Sequence, residues 1–182
     1  VYKGGTEKFV TDIRSVKSNA LKQELNETEF KGFNFFNEVS FSNKQKYIED
    51  ILENNVDDKF FFDTERIRQF LSAYDKCENE KREIKIVKLF DLPKEVHNDL
   101  ERQRRVYSVK GISPTVLARS DSTKILIKVD GILKIRKITP IETFYIQGFD
   151  KSFVKNIVET GMSATQMYKQ SGNAVSPPVI TG

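Results

Sequence analysis

Residues 124–137 read KILIKVDGILKIRK, and few structures accept such a stretch. Ile125, Ile127 and Val129 alternate with polar neighbours, Asp130-Gly131 follows, and the apolar run from Ile132 to Ile135 returns. Successive side chains of a strand point to opposite faces, so this alternation describes a half-buried strand. A two-residue turn that matches strand twist needs positive φ at its centre, which the Asp-Gly pair tolerates. The stretch predicts an antiparallel hairpin against which the rest of the chain must pack.

Helical signals flank it. Downstream, Thr139 is placed to cap a helix starting at Pro140, where the missing N–H is not needed, and Gly148 would end it. A last helix is expected over residues 164–170, stopping at Gly172. Upstream, Ser42 would cap a helix with Tyr47, Ile48, Ile51 and Leu52 on one face, ended by Asn54 and Asn55. Phe60, Phe61 and Phe62 read as a short buried stretch. Asp63 or Thr64 then caps a second helix, with Ile67, Phe70, Leu71 and Tyr74 at helical spacing. The polar run DKCENEKRE reads as a linker. After Glu83 the period changes: Ile84, Ile86 and Leu89 begin a strand-like region, and residues 106–109 and 115–118 are further short strands. Residues 1–40 carry little pattern beyond the cluster of Phe30, Phe33, Phe35 and Phe36. Helices, then antiparallel strands, then helices, with no βαβ alternation, predict an α+β fold: a small antiparallel β region with flanking helices.

Composition narrows the class. Hydrophobic residues make up 38% and charged residues 31% of the 182, a globular balance that fits no disordered or fibrous class. No apolar run approaches the roughly 20 residues that span a bilayer, and the N-terminal VYKGGTEKFV has no secretory apolar core. Cys77 is the single cysteine, so an internal disulfide is excluded and a reducing interior suits the chain. With His97 the single histidine, a Cys/His metal cage is excluded too, and no metal is expected. Residues 81–137 hold 15 Lys and Arg against 7 Asp and Glu, a surplus suited to a face on a polyanion. An ordinary solvated lysine-rich surface would give the same count.

Arg102, Gln103, Arg104 and Arg105 set three guanidiniums and an amide in one short loop. Arg forks onto guanine or clamps phosphate, and Gln pairs with adenine. A solvated basic loop would look the same in isolation. Two C-terminal segments carry more. RKITPIETFYIQGF (residues 136–149) and QMYKQSGNAVSPPV (residues 166–179) resemble, in order and spacing, the last two shared motifs of the cytosine-5 DNA methyltransferases. RRVYSVKGISPTVLA (residues 104–118) resembles the core of that family's target recognition domain, and the resemblance covers residues 34–180.

The resemblance implies a division into a lead-in of uncertain role over residues 1–40, a target recognition domain over 41–135, and C-terminal helical motifs over 136–182. The last part would dock on a Rossmann-like catalytic domain absent from this chain. Such enzymes flip a cytosine out of double-stranded DNA and transfer a methyl group to its carbon 5 from S-adenosylmethionine. On this reading Arg102, Gln103, Arg104, Arg105, Thr115, Arg119 and Ser120, with Asp121 beside them, face DNA. Asn173, Ala174 and Val175 line the S-adenosylmethionine pocket. Arg136, Glu142 and Gln170 serve structural docking. Two positions depart from the family pattern: Tyr145 stands at an arginine position, and Asp150 follows Gly148-Phe149 where proline is usual. The docking helix is expected to survive with a different polar network.

The family nucleophile is a cysteine in a Pro-Cys pair. Lys76 precedes Cys77, so the resemblance assigns no catalytic residue to this chain and predicts it inactive alone. The Phe-x-Gly-x-Gly cofactor loop is absent, and a Gln-x-Arg-x-Arg motif is at best degenerate around residues 12–16. The partner would be a catalytic half, in the same polypeptide or as a separate subunit; the non-Met start and the PPVITG end favour a piece of a longer protein. A free-standing DNA-binding or regulatory module is the alternative, and a transfer-RNA substrate is a third reading. A bacterial cytoplasmic, restriction-modification setting is the common one for the family.

Overall fold

A computed structural model describes residues 16–28, 46–74, 81–119 and 123–181. The chain divides into two compact units, Val1–Asn43 with Gly182, and Lys44–Thr181. In the first, helix α1 spans Val16–Glu27. The expected Phe30–Phe36 cluster, the helix cap at Ser42, Cys77, Ser120 and Asp121 lie outside the described residues.

The second unit is built on a four-stranded sheet, β1 (Lys88–Asp91), β2 (Arg105–Ser108), β3 (Lys124–Val129) and β4 (Ile132–Lys137), in the order β1-β2-β3-β4. The hairpin β3–β4 forms as its alternation and Asp-Gly turn require. Asp130 and Gly131 both take left-handed φ, 49° and 82°, and Val129 faces Ile132. The region is not purely antiparallel, however. β2 and β3 run parallel, with Val106 opposite Lys124 and Ser108 opposite Leu126. The stretch from Val109 to Thr123 is long enough for the crossover that parallel pairing demands. Residues 115–118 add no strand; they run as an irregular segment. Ile84 and Ile86 are exposed, and the regular strand starts only at Lys88. Upstream of it the pairing continues irregularly, with Ser108 N–H donating to Val87 and Ile112 N–H to Lys85.

Both faces of the sheet are covered. On one, Val106, Leu126 and Ile135 meet Ile67 and Leu71 of helix α2 (Glu65–Ser72), whose start is capped by Thr64 accepting from Ile67 N–H at 3.3 Å. On the other, Ile125 and Ile138 meet Ile48 and Val109. Adjacent residues Ile125 and Leu126 thus serve opposite cores, as strand period 2 dictates. The helix expected before Asn54 is, among the described residues, one 3-10 turn, Ile48–Ile51. That turn spends its N–H groups on the chain beside it, Ile48 on Gly111 and Glu49 on Val109. Phe60–Phe62 is half-buried, closing a 3-10 turn and lying along β4 with Phe62 N–H on Ile135.

Helix α3 (Pro140–Gln147) has the expected Thr139 cap, a reciprocal capping box with Glu142, and a left-handed Gly148 at its end. One helix was not legible, α4 (Lys151–Glu159), capped by Asp150; the PPVITG end, which reads as a helix start, forms the short α6 (Pro177–Thr181). Helix α5 runs Ala164–Asn173, past Gly172. Gly172 therefore is no stop. Phe144, Val154 and Met167 knit α3, α4 and α5 into a third core.

Candidate functional site

The basic loop is a 3-10 turn, Glu101–Arg104, feeding directly into β2. A cleft of about 180 Å³ opens beside it, lined by Arg102, Gln103, Arg105 and Thr115 of the expected residues, with Tyr107, Leu117, Thr123 and Lys124. Arg102 is exposed and makes no ion pair or hydrogen bond among the described residues. Arg105 is half-buried, donating to Glu101 at 3.0 Å and lying 3.8 Å from Asp91. The bond to Glu101 holds its guanidinium the more firmly protonated. Arg104 turns away from the cleft and donates to the carbonyl of buried Leu92. Its geometry is that of a brace between the loop and the end of β1. Arg119 is exposed at the end of the irregular segment.

Lys124 was not singled out from sequence, because a lysine opening a strand ordinarily points to solvent. Here it is buried, donates to the carbonyl of Gln103 and sits 4.7 Å over the Phe62 ring. It fixes the loop backbone from below. Phe62 also meets His97 edge-on at 5.2 Å. Burial first, and then the charge of Lys124, pushes the His97 pKa down.

The second candidate segment lies on α5. Its Tyr168 and Ser171 point inward: the Tyr168 hydroxyl donates to Ile138 at 2.6 Å, and Ser171 Oγ lies 2.8 Å from Thr143 Oγ1. Lys169, Gln170 and Asn173 are exposed on the opposite face. Ala174 leaves the helix in an extended conformation, and Val175 is exposed. Ser176 then donates to the Gln147 carbonyl at 2.6 Å, and Pro178 packs on Gly148. The Asn173–Val175 turn is thus pinned on both sides, with Asn173 and Val175 exposed and Ala174 half-buried.

One contact joins the two sites. A Cβ on Gly172 would stand 2.4 Å from the backbone nitrogen of Ala118. The segment that supplies Thr115 and Leu117 to the cleft crosses α5 there, backbone against backbone.

Arg136 and Glu142 form a fully buried, two-pronged ion pair, with bonds of 2.7 and 2.8 Å. Glu142 also accepts the N–H groups of Thr139 and Glu53, each at 2.8 Å. The pair binds the end of β4 to α3 and to the chain at Glu53. Thr139 donates to the Glu53 carboxylate as well, yet burial raises the Glu53 pKa and Glu142 adds to the rise. Tyr145 and Asp150 line a separate cleft beside Glu53.

The type II methyltransferase M.SsoII of Shigella sonnei is 44% identical to this chain over 68 residues, 36% of the chain and 16% of the relative. The orphan methyltransferase M.SPBetaI of Bacillus phage SPbeta is 24% identical over 208 residues, 87% of this chain and 46% of the relative. The putative type II methyltransferase M.BsuMIIP of Bacillus subtilis matches with the same figures. The chain spans about half the length of these last two relatives. The model of the C-5 cytosine-specific DNA methylases matches residues 9–182, nearly the whole chain, and the chain belongs to that family.

Proposed function

We propose that this chain is the DNA-reading, C-terminal part of a DNA (cytosine-5-)-methyltransferase. The cleft bordered by Arg102, Gln103, Arg105 and Thr115 takes duplex DNA beside a flipped cytosine, with Arg119, Ser120 and Asp121 on a second recognition loop. Cations there neutralise phosphate, while the Gln103 amide and the Thr115 hydroxyl are suited to base edges. The nucleophilic cysteine lies on a catalytic half outside these 182 residues.

S-adenosylmethionine supplies the methyl group when bound. The Asn173–Val175 turn fits one edge of its site: Asn173 and Val175 are exposed, Ala174 between them is extended, and the Asn173 carboxamide has both a donor and an acceptor to offer. Arg136 and Glu142 keep the docking helix α3 in place, and Gln170, exposed on α5, faces the catalytic half.

The contact of Gly172 with Ala118 carries this reading. A DNA reader alone has no use for a cofactor-side turn built into the same wall as its cleft. The test is complementation. The chain mixed with the catalytic half of a relative should methylate a cytosine-containing duplex that neither part methylates alone. Tight binding of one DNA site by the folded chain alone, with no transfer in the mixture, would establish a free-standing DNA-binding module instead.

A further inference from the structure

Arg105 stands between two carboxylates that differ in depth. Asp91 is its cross-strand neighbour, the last residue of β1 opposite the first of β2. Its side chain is 31% exposed, and its Oδ2 is held by Lys88 at 2.8 Å. Glu101 lies four residues before Arg105 on the 3-10 turn, with a side chain 72% exposed. Arg105 currently gives one terminal nitrogen to the outer acid, at 3.0 Å. Its Nε faces Oδ1 of the inner one at 3.8 Å, too far for a hydrogen bond. Both of those atoms are buried, and neither has a hydrogen-bond partner among the described residues.

Two complementary buried atoms left facing each other just out of reach describe a side chain stopped short of its second position. We propose that Arg105 is a latched recognition residue. Glu101 is the latch that holds the guanidinium away from DNA, and Asp91 is the positioning residue that receives its Nε once a phosphate or guanine edge has taken the terminal nitrogens from Glu101. The roles follow from depth. The outer pair is an exposed ion pair, easily exchanged for a stronger anion. The inner carboxylate sits on strand β1 with its other oxygen on Lys88, so Oδ1 stays in place to receive Nε. Closing the 3.8 Å gap satisfies two orphaned groups in one movement, so release from Glu101 removes a defect present in the free protein.

This rests on Arg105 facing DNA, and a double-mutant cycle separates the two claims. The 182-residue chain would be titrated with a mixed-sequence DNA duplex at two salt concentrations, as wild type, Arg105→Ala, Glu101→Gln, Asp91→Asn, and the two acid variants each in the Arg105→Ala background. Glu101→Gln should tighten binding about two- to five-fold, and Asp91→Asn should weaken it by a similar factor. Both effects should vanish once Arg105 is Ala. A Glu101→Gln gain that persists without Arg105 is simple loss of negative charge near a polyanion, and it overturns the latch. So does an Asp91→Asn variant that binds as tightly as wild type. If Arg105→Ala itself leaves binding unchanged, the reading of the cleft has failed, and the latch with it.

Discussion

The backbone of Ala118 passes so close to Gly172 that a Cβ on Gly172 would stand 2.4 Å from the Ala118 nitrogen. Gly172 sits inside a helix, where alanine is ordinarily better by about 1 kcal/mol. The contact reverses that preference, since the obstructing atoms are backbone and cannot rotate aside. Gly172→Ala should therefore destabilise the chain by about 1–3 kcal/mol in urea unfolding. A gain in stability would mean that residues 115–119 do not press on α5.

The Arg136–Glu142 pair makes a second prediction. Removing one partner leaves a buried, uncompensated charge. Arg136→Met or Glu142→Gln should each cost about 3–5 kcal/mol. The double variant Arg136→Met/Glu142→Leu should recover only part of this, because the Thr139 and Glu53 N–H groups lose their acceptor. Denaturant midpoints of the three variants decide it.

Glu53 sets a pH dependence. Burial raises its folded pKa above the ordinary 4.5, so the folded state favours the protonated form. The stabilising contribution is complete below 4.5 and is lost as pH rises through the higher folded value. Glu53→Gln should therefore gain stability relative to wild type between pH 4 and pH 7, measured as a widening difference in Tm. A constant difference over that range would show that Glu53 titrates alike in folded and unfolded chains.

Neighbouring arginines in the loop should separate by assay. Arg102→Ala should lower the salt slope of DNA binding by about 1 and leave unfolding unchanged. Arg104→Ala should lower stability by about 1–3 kcal/mol through the orphaned Leu92 carbonyl, with a smaller change in salt slope. Similar effects from both would mean that loop sequence, not loop geometry, governs their roles.

The hairpin, the α2 face and the α3 caps were legible because each depends on residues close in sequence: an Asp-Gly pair, a Thr and a Pro. The parallel pairing of β2 with β3 was not, since short apolar runs state that strands exist and not which way they run. Gly172 misled for a related reason. A glycine near a helix end ordinarily marks its stop, and the backbone of Ala118, distant in sequence, is what requires it. Asp150 was noticed only as a departure from a proline pattern, although an Asp followed by Phe153, Val154, Ile157 and a Gly161 at φ 72° delimits a helix on its own terms. Of the cleft, the cations were legible. Lys124 beneath them and the acids around Arg105 were not, because burial of a lysine and a 3.8 Å approach are properties of the packed chain.

The crossover between β2 and β3 leaves the sheet at Ser108 and rejoins it at Lys124, with both ends fixed by the ladder. Loop-closure cost rises only slowly with length, so the sequence between Arg119 and Thr123 could be lengthened, shortened or exchanged with little effect on the frame. In evolutionary terms the crossover is a cassette. A descendant of this chain could rewrite the few residues between Arg119 and Thr123, while the sheet and its two cores pass unchanged from ancestor to heir.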